Sequence, residues 1–136
     1  MATLFQSAVS KVKEALAGHP EVRLVEGDGS IKVEVDDPSG FDVEMVDDRD
    51  EISIFAGPYH THLDDAEDAA AAFLWMLTPT HRIVEVLRGK HRQSARLERE
   101  EDGDWVVLGR VVSLPLFGRK RERVFQNHLL RGPDRE

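Results

Sequence analysis

Two histidines one residue apart, His60 and His62 in GPYHTHLDD, come nearest in this chain to a reactive constellation. In extended backbone, residues i and i+2 point to the same side, about 6.5–7 Å apart. Two imidazoles so placed can converge on a divalent metal such as zinc, and a carboxylate completes a two-histidine, one-carboxylate face. Asp64 and Asp65 follow directly and offer that carboxylate. Asp64 also stands three residues before Glu67, the spacing of a reciprocal helix cap, and a capping oxygen is already engaged by backbone amides. His81 lies beyond a helix of roughly 15 residues, or about 22 Å. A third imidazole is left to His19, His128 or a second chain. The expectation is a strand-to-helix corner with both rings on one side, held by hydrogen bonds, with metal binding as the alternative.

The other chemistry-bearing patterns are weaker. The aspartate pairs at 36–37 and 47–48 fall between alternating apolar stretches, where Asp is selected for turn geometry. GDGS at 27–30 lacks the ligand ladder of a calcium loop, and no glycine-rich phosphate loop precedes a helix. None of the seven serines sits in a G-x-S-x-G elbow. The absence of cysteine removes thiol catalysis and thiolate zinc sites, so no catalytic residue is assigned. Arg119, Lys120, Arg121 and Arg123, with Phe125 beside them, would suit nucleic acid. A net charge of −8 opposes that and no reader motif is present, so nucleic acid is not an expected partner. No apolar run of about 18 residues exists to span a membrane. The opening MATLFQSAVSKVKEAL mixes lysines into its apolar positions, unlike a secretory signal, and the expected location is cytoplasmic.

The elements that must position these residues follow from periodicity. Thr3 and Gln6 have capping-box spacing, and Phe5, Ala8, Val9, Val12, Ala15 and Leu16 repeat at helical intervals until Gly18 and Pro20. Four alternating strands follow, around Val22–Leu24, Ile31–Val35, Phe41–Met45 and Ile52–Ile54, divided by Gly, Pro, Asp and Ser clusters. A central helix is expected over 64–78, and three more strands over 83–88, 93–100 and 105–112. Leu114, Leu116 and Phe117 read as an apolar plug, 122–129 as a short helix and 131–136 as a tail. The absence of a βα rhythm predicts one α+β domain over 1–130, with helices packed on an antiparallel sheet of about seven strands.

Two features point outward. The end of the central helix is apolar nearly all round, so Trp75 and Met76 are expected under a second layer or at a partner interface, a homodimer among the options. Charge is also divided. Residues 1–68 carry 17 acidic and 5 basic side chains, and 69–136 carry 9 and 13. Opposite-charge strands pairing within one sheet would account for that.

An aromatic-His-x-His step (Tyr59–His62) leads into a Phe-Leu-Trp helix, followed by an arginine-rich strand, the tryptophan strand DWVVLG and LPLFGRK. Over residues 41–130 this pattern resembles a group of small uncharacterised bacterial proteins, with Tyr59 where members carry Trp; the resemblance implies no activity. The order of elements is also similar to the small acidic, dimeric chaperones of type III secretion. The functional expectation is a non-catalytic domain that binds a protein partner as an adaptor, chaperone-like or immunity-type protein. A metal site at His60 and His62 is the alternative.

Overall fold

The computed structural model describes residues 2–89, 91–112 and 119–130; the expected apolar plug and the tail lie outside these. The fold is α+β, and the described residues form two helices and two antiparallel sheets. Helix α1 (Leu4–Leu16) opens on the expected box, Thr3 accepting from the Gln6 amide and Gln6 returning the bond. Strands β1 (Arg23–Gly27), β2 (Ser30–Glu34), β3 (Val43–Asp48), β4 (Glu51–Ala56) and β5 (Tyr59–Leu63) form a meander paired in sequence order. Helix α2 (Ala66–Trp75) follows, and then β6 (His81–Arg88), β7 (His91–Glu101), β8 (Asp104–Val112) and β9 (Lys120–Gln126). The second sheet runs β8-β7-β6-β9, so β9 returns to the free side of β6.

The described residues therefore hold nine strands in two sheets, where the sequence reading expected about seven in one. Tyr59–Leu63, expected as a corner, is a strand because its backbone pairs with β4 from Ile52↔Leu63 to Ala56↔Tyr59. Residues 122–129, expected as a helix, supply most of β9 instead. Long-range pairing decides this: Phe125 lies opposite Ile83, and Arg123 opposite Glu85, which it also meets in an ion pair at 3.5 Å. Helix α2 is shorter than expected, and its cap is Asp65 rather than Asp64, with Asp65 Oδ1 accepting from the amides of Glu67 and Asp68.

Both sheets share one core. Phe5, Ala8 and Val12 of α1 and Ala69, Ala70 and Phe73 of α2 meet Val33, Val43, Met45, Ile52 and Ile54 of the first sheet. Ile83, Ala95 and Leu97 join the same cluster from the second sheet. The β7–β8 hairpin turns on Asp102 (φ 51°) and Gly103 (φ 87°), the left-handed pair that matches strand twist in a two-residue loop. At Gly109 of β8 the Tyr59 ring fills the space a Cβ would need, so β5 and β8 approach closely there.

The segment after β9 ties these layers together through Asn127, which is 1 % exposed. Its Oδ1 accepts from the Phe41 amide at 3.0 Å, and its Nδ2 donates to the carbonyls of Phe41 (2.9 Å) and Met76 (3.0 Å). Leu129 and Leu130 donate their amides to the Leu77 carbonyl, and Gln126 donates to Ser39. Removing the Asn127 amide leaves one donor and two acceptors buried without it, at about 1–3 kcal/mol each when unsatisfied. Asn127→Ala is expected to lower unfolding free energy in urea by about 3 kcal/mol or more. Asn127→Asp is expected to do nearly as much harm, because a carboxylate cannot donate to two carbonyls. A midpoint unchanged in both variants would contradict this role.

Candidate functional site

The β4–β5 hairpin positions the histidine pair. His60 lies opposite Phe55 and His62 opposite Ser53, both on the sheet face away from the helices. The His60 ring stacks on Phe55 with centroids 5.8 Å apart, and meets the His62 ring edge-on at 5.5 Å. The rings thus lie on one side, as alternation requires. The carboxylates beside them are not Asp64 and Asp65. The β3–β4 turn brings Asp48 Oδ2 to 4.0 Å and Glu51 Oε2 to 3.8 Å from His62 Nδ1. Asp65 is occupied in capping α2.

Ser53 decides how this cluster is wired. Its hydroxyl donates to Asp48 Oδ2 at 3.2 Å, so the same oxygen can only accept from His62 Nδ1, 2.8 Å away. Asp48, Glu51 and His62 place ligand-type atoms within 4.8 Å of one another, and they are the one such group among the described residues. His19, His81 and His128 take no part in it; His19 pairs with Glu21. By sequence alone Asp48 reads as a solvated turn residue. The signal for its role lay in register: β3–β4 sets Asp48 opposite Glu51, and β4–β5 sets Ser53 opposite His62.

The end of α2 lies on the other side of the first sheet. Met76 is buried, while Trp75 is half-buried and meets the His81 ring edge-on at 6.1 Å. His81 opens β6 and is 6 % exposed. Burial, aided by the nearby Arg99 charge, pushes its pKa down to about 4.

The acidic strands of the first half and the basic strands of the second fall in different sheets and do not pair with one another. Opposite charges still meet across strands within the second sheet, as in Arg82–Glu98 and Glu85–Arg123. Every ion pair found among residues 11–67 stays within that range, as in Lys13–Glu26 and Arg23–Asp36. The others stay within 82–123. There Glu98, 5 % exposed, takes Arg82 Nε at 2.6 Å and Arg96 Nε at 2.9 Å. Burial works to raise its pKa, but those hydrogen bonds and charges prevail and hold it below the usual carboxylate range. Trp105 covers the Arg82 guanidinium at 4.0 Å. On β9, strand alternation sends Lys120 and Glu122 to one face and Arg121 and Arg123 to the other, so the basic run forms no single patch.

The outermost strand of that sheet, β8, exposes Val106, Val107, Leu108 and Val112, the last at 68 %. No protein-family model matches the chain, and neither a curated protein nor a solved structure was found similar to it.

The depressed pKa of His81 has a measurable consequence. Above pH 6.5 the ring is neutral whether folded or unfolded, and stability is complete. Between pH 6.5 and about 4 the unfolded chain takes up a proton that the folded site refuses. Stability then falls by about 1.4 kcal/mol per pH unit, approaching about 3 kcal/mol in all. Arg99 and Glu100 of β7 and Tyr59 of β5 face the same space, so the comparison is made against His81→Gln, which keeps them. In urea titrations from pH 7.5 to 4, wild type is expected to lose more stability than the variant. Parallel losses would contradict the buried neutral ring.

Proposed function

We propose that the protein is a non-catalytic protein-binding domain, of the adaptor or chaperone-like kind. In this reading it pairs an extended, acidic segment of its partner with the free edge of β8. The observation that carries it is the nine-residue strand Asp104–Val112, unpaired on its outer side among the described residues and apolar along its middle. An edge strand of that kind is a template for another strand, and proteins normally blunt it with charge. The opposite edge, β9, carries such charges in Lys120, Arg121, Glu122 and Arg123. Along β8, only Asp104 and Arg110 are charged. An acidic partner is favoured because the second half of the chain has 13 basic and 9 acidic side chains. Added backbone hydrogen bonds would give affinity, and apolar side chains meeting Val106, Val107 and Leu108 would give selectivity.

A divalent cation such as zinc at His62, Asp48 and Glu51 is the second reading, favoured by their mutual distances within 4.8 Å. It requires His62 Nδ1 to give up its proton and its bond to Ser53. Zinc retained through dialysis by wild type and lost in His62→Ala would bring that reading forward.

The test of the first reading is a displayed library of random extended peptides, selected on wild type and on Val107→Lys, which blunts the edge without touching the core. Peptides alternating apolar residues, flanked by Asp or Glu, are expected to be enriched on wild type. Their affinity should fall about tenfold or more on the variant, the worth of about 1.4 kcal/mol. Enrichment indifferent to Val107→Lys would overturn the reading. So would a stable dimer by light scattering that Val107→Lys dissociates, since a second copy would then occupy the edge.

A further inference from the structure

A cavity of about 520 Å³ opens between β5, the last turn of α2 and the β7–β8 pair. Leu63, Ala72, Trp75, Met76, Leu97 and Leu108 supply apolar walls, and His81, Thr80, Arg99 and Tyr59 supply polar ones. Glu100 also borders it. Small-molecule sites commonly enclose roughly 300–1,000 Å³ with such a mixture, mostly apolar with a few converging polar groups.

A chain of hydroxyls fixes which nitrogen of His81 bears the proton. Thr78 Oγ1 lies 2.7 Å from the Trp75 carbonyl, which can only accept, so Thr78 donates there. Thr80 Oγ1, 2.5 Å from Thr78 Oγ1, must then be the donor in that contact. With its one proton committed, the Thr80 oxygen accepts from His81 Nδ1 at 3.0 Å. Nδ1 therefore carries hydrogen. Since burial keeps the ring neutral near pH 7, Nε2 is left with a bare lone pair. Nε2 has no hydrogen-bond partner among the described residues, yet no buried side-chain nitrogen or oxygen there lacks one. Nε2 consequently reaches open space, and the open space beside His81 is the cavity.

The second polar group is placed by register. Arg99 lies directly opposite His81 in the β6–β7 pair, so their side chains leave the same sheet face about 5 Å apart. The guanidinium also meets Glu101 on its own strand, in a solvent-exposed pair of the kind that contributes little. Donors remain for a second carboxylate, since a guanidinium offers five N–H groups.

We propose that this cavity is a binding site for a small amphipathic hydroxy acid. Its hydroxyl donates to His81 Nε2, its carboxylate meets Arg99, and its apolar tail lies along Leu63, Ala72, Met76 and Leu97. Because His81 and Arg99 are cross-strand neighbours, the hydroxyl and the carboxylate sit on adjacent or nearly adjacent carbons, as in 2- and 3-hydroxy acids. This site shares Leu108 with β8 but does not depend on strand addition at that strand's outer edge.

Isothermal titration below micellar concentration tests it with three probes: 3-hydroxydecanoate, decanoate and 1-decanol. 3-Hydroxydecanoate is expected to bind saturably at one per chain. Decanoate, which lacks the donor, and 1-decanol, which lacks the acid, are each expected to bind about tenfold more weakly. Arg99→Gln, a change at an exposed side chain, should weaken 3-hydroxydecanoate about tenfold and leave 1-decanol unaffected. Ala72→Phe, which fills the cavity from α2, should abolish binding of all three. Equal affinity for 3-hydroxydecanoate and decanoate would overturn the proposal. Saturable binding undiminished in Ala72→Phe, or no saturable binding of any probe to wild type, would overturn it as well.

Discussion

One buried amide holds this molecule in register. Asn127 gives the loop before β3 a donor and an acceptor, as a neighbouring strand would, and takes the Met76 carbonyl with its remaining N–H. Those bonds join the first sheet, the end of α2 and the chain leaving β9 at a single point from which water is excluded. A charged or apolar replacement cannot make the same three bonds. The flanking backbone follows from that point: Gln126 pairs with Ser39, and Leu129 and Leu130 close onto Leu77. Once β9 is fixed beside the first sheet, β6 is fixed by its pairing with β9, and His81 is carried to the end of α2.

The two sheets do different work around that junction. The first, with both helices, provides most of the apolar core and an acidic exterior. The second places Ile83, Ala95 and Leu97 in the core and carries the arginine network on its other face. Glu98 is tolerated in near-complete burial because two guanidiniums meet it, and an unpaired carboxylate there would be costly. Among the described residues the ion pairs stay within each part, 11–67 or 82–123. The cavity lies between the two sheets, with walls from β5, α2, β7 and β8.

Local signals in the sequence were sufficient wherever the physics is local. The Thr3–Gln6 box appears as read, as does the α1 stripe at Phe5, Ala8, Val12 and Leu16, though not at exposed Ala15. Strands β2 to β4 also appear as read, though Ser53 breaks the alternation of β4 by being buried. Tyr59–Leu63 alternates too weakly in hydrophobicity to announce a strand, and pairing with β4 decides it. In KRERVFQ, charged side chains with good helical propensity mask a strand whose state is set by β6, about forty residues earlier in the chain. The Asp48–Ser53–His62 cluster depends on two hairpin registers, and a shift of one residue would scatter it. TPTH at 78–81 is visible as a string of hydrogen-bonding residues, but its meaning rests on burial, which no local pattern reveals.

Thr78 and Thr80 lock His81 as a neutral ring with its Nε2 lone pair turned to the cavity. Long-range proton–nitrogen correlation of the imidazoles at pH 7, with His81 assigned by its loss in His81→Gln, measures this directly. A protonated Nδ1 and an unprotonated Nε2 are expected for His81. A ring protonated at Nε2, whether as the other tautomer or as an imidazolium, would contradict it.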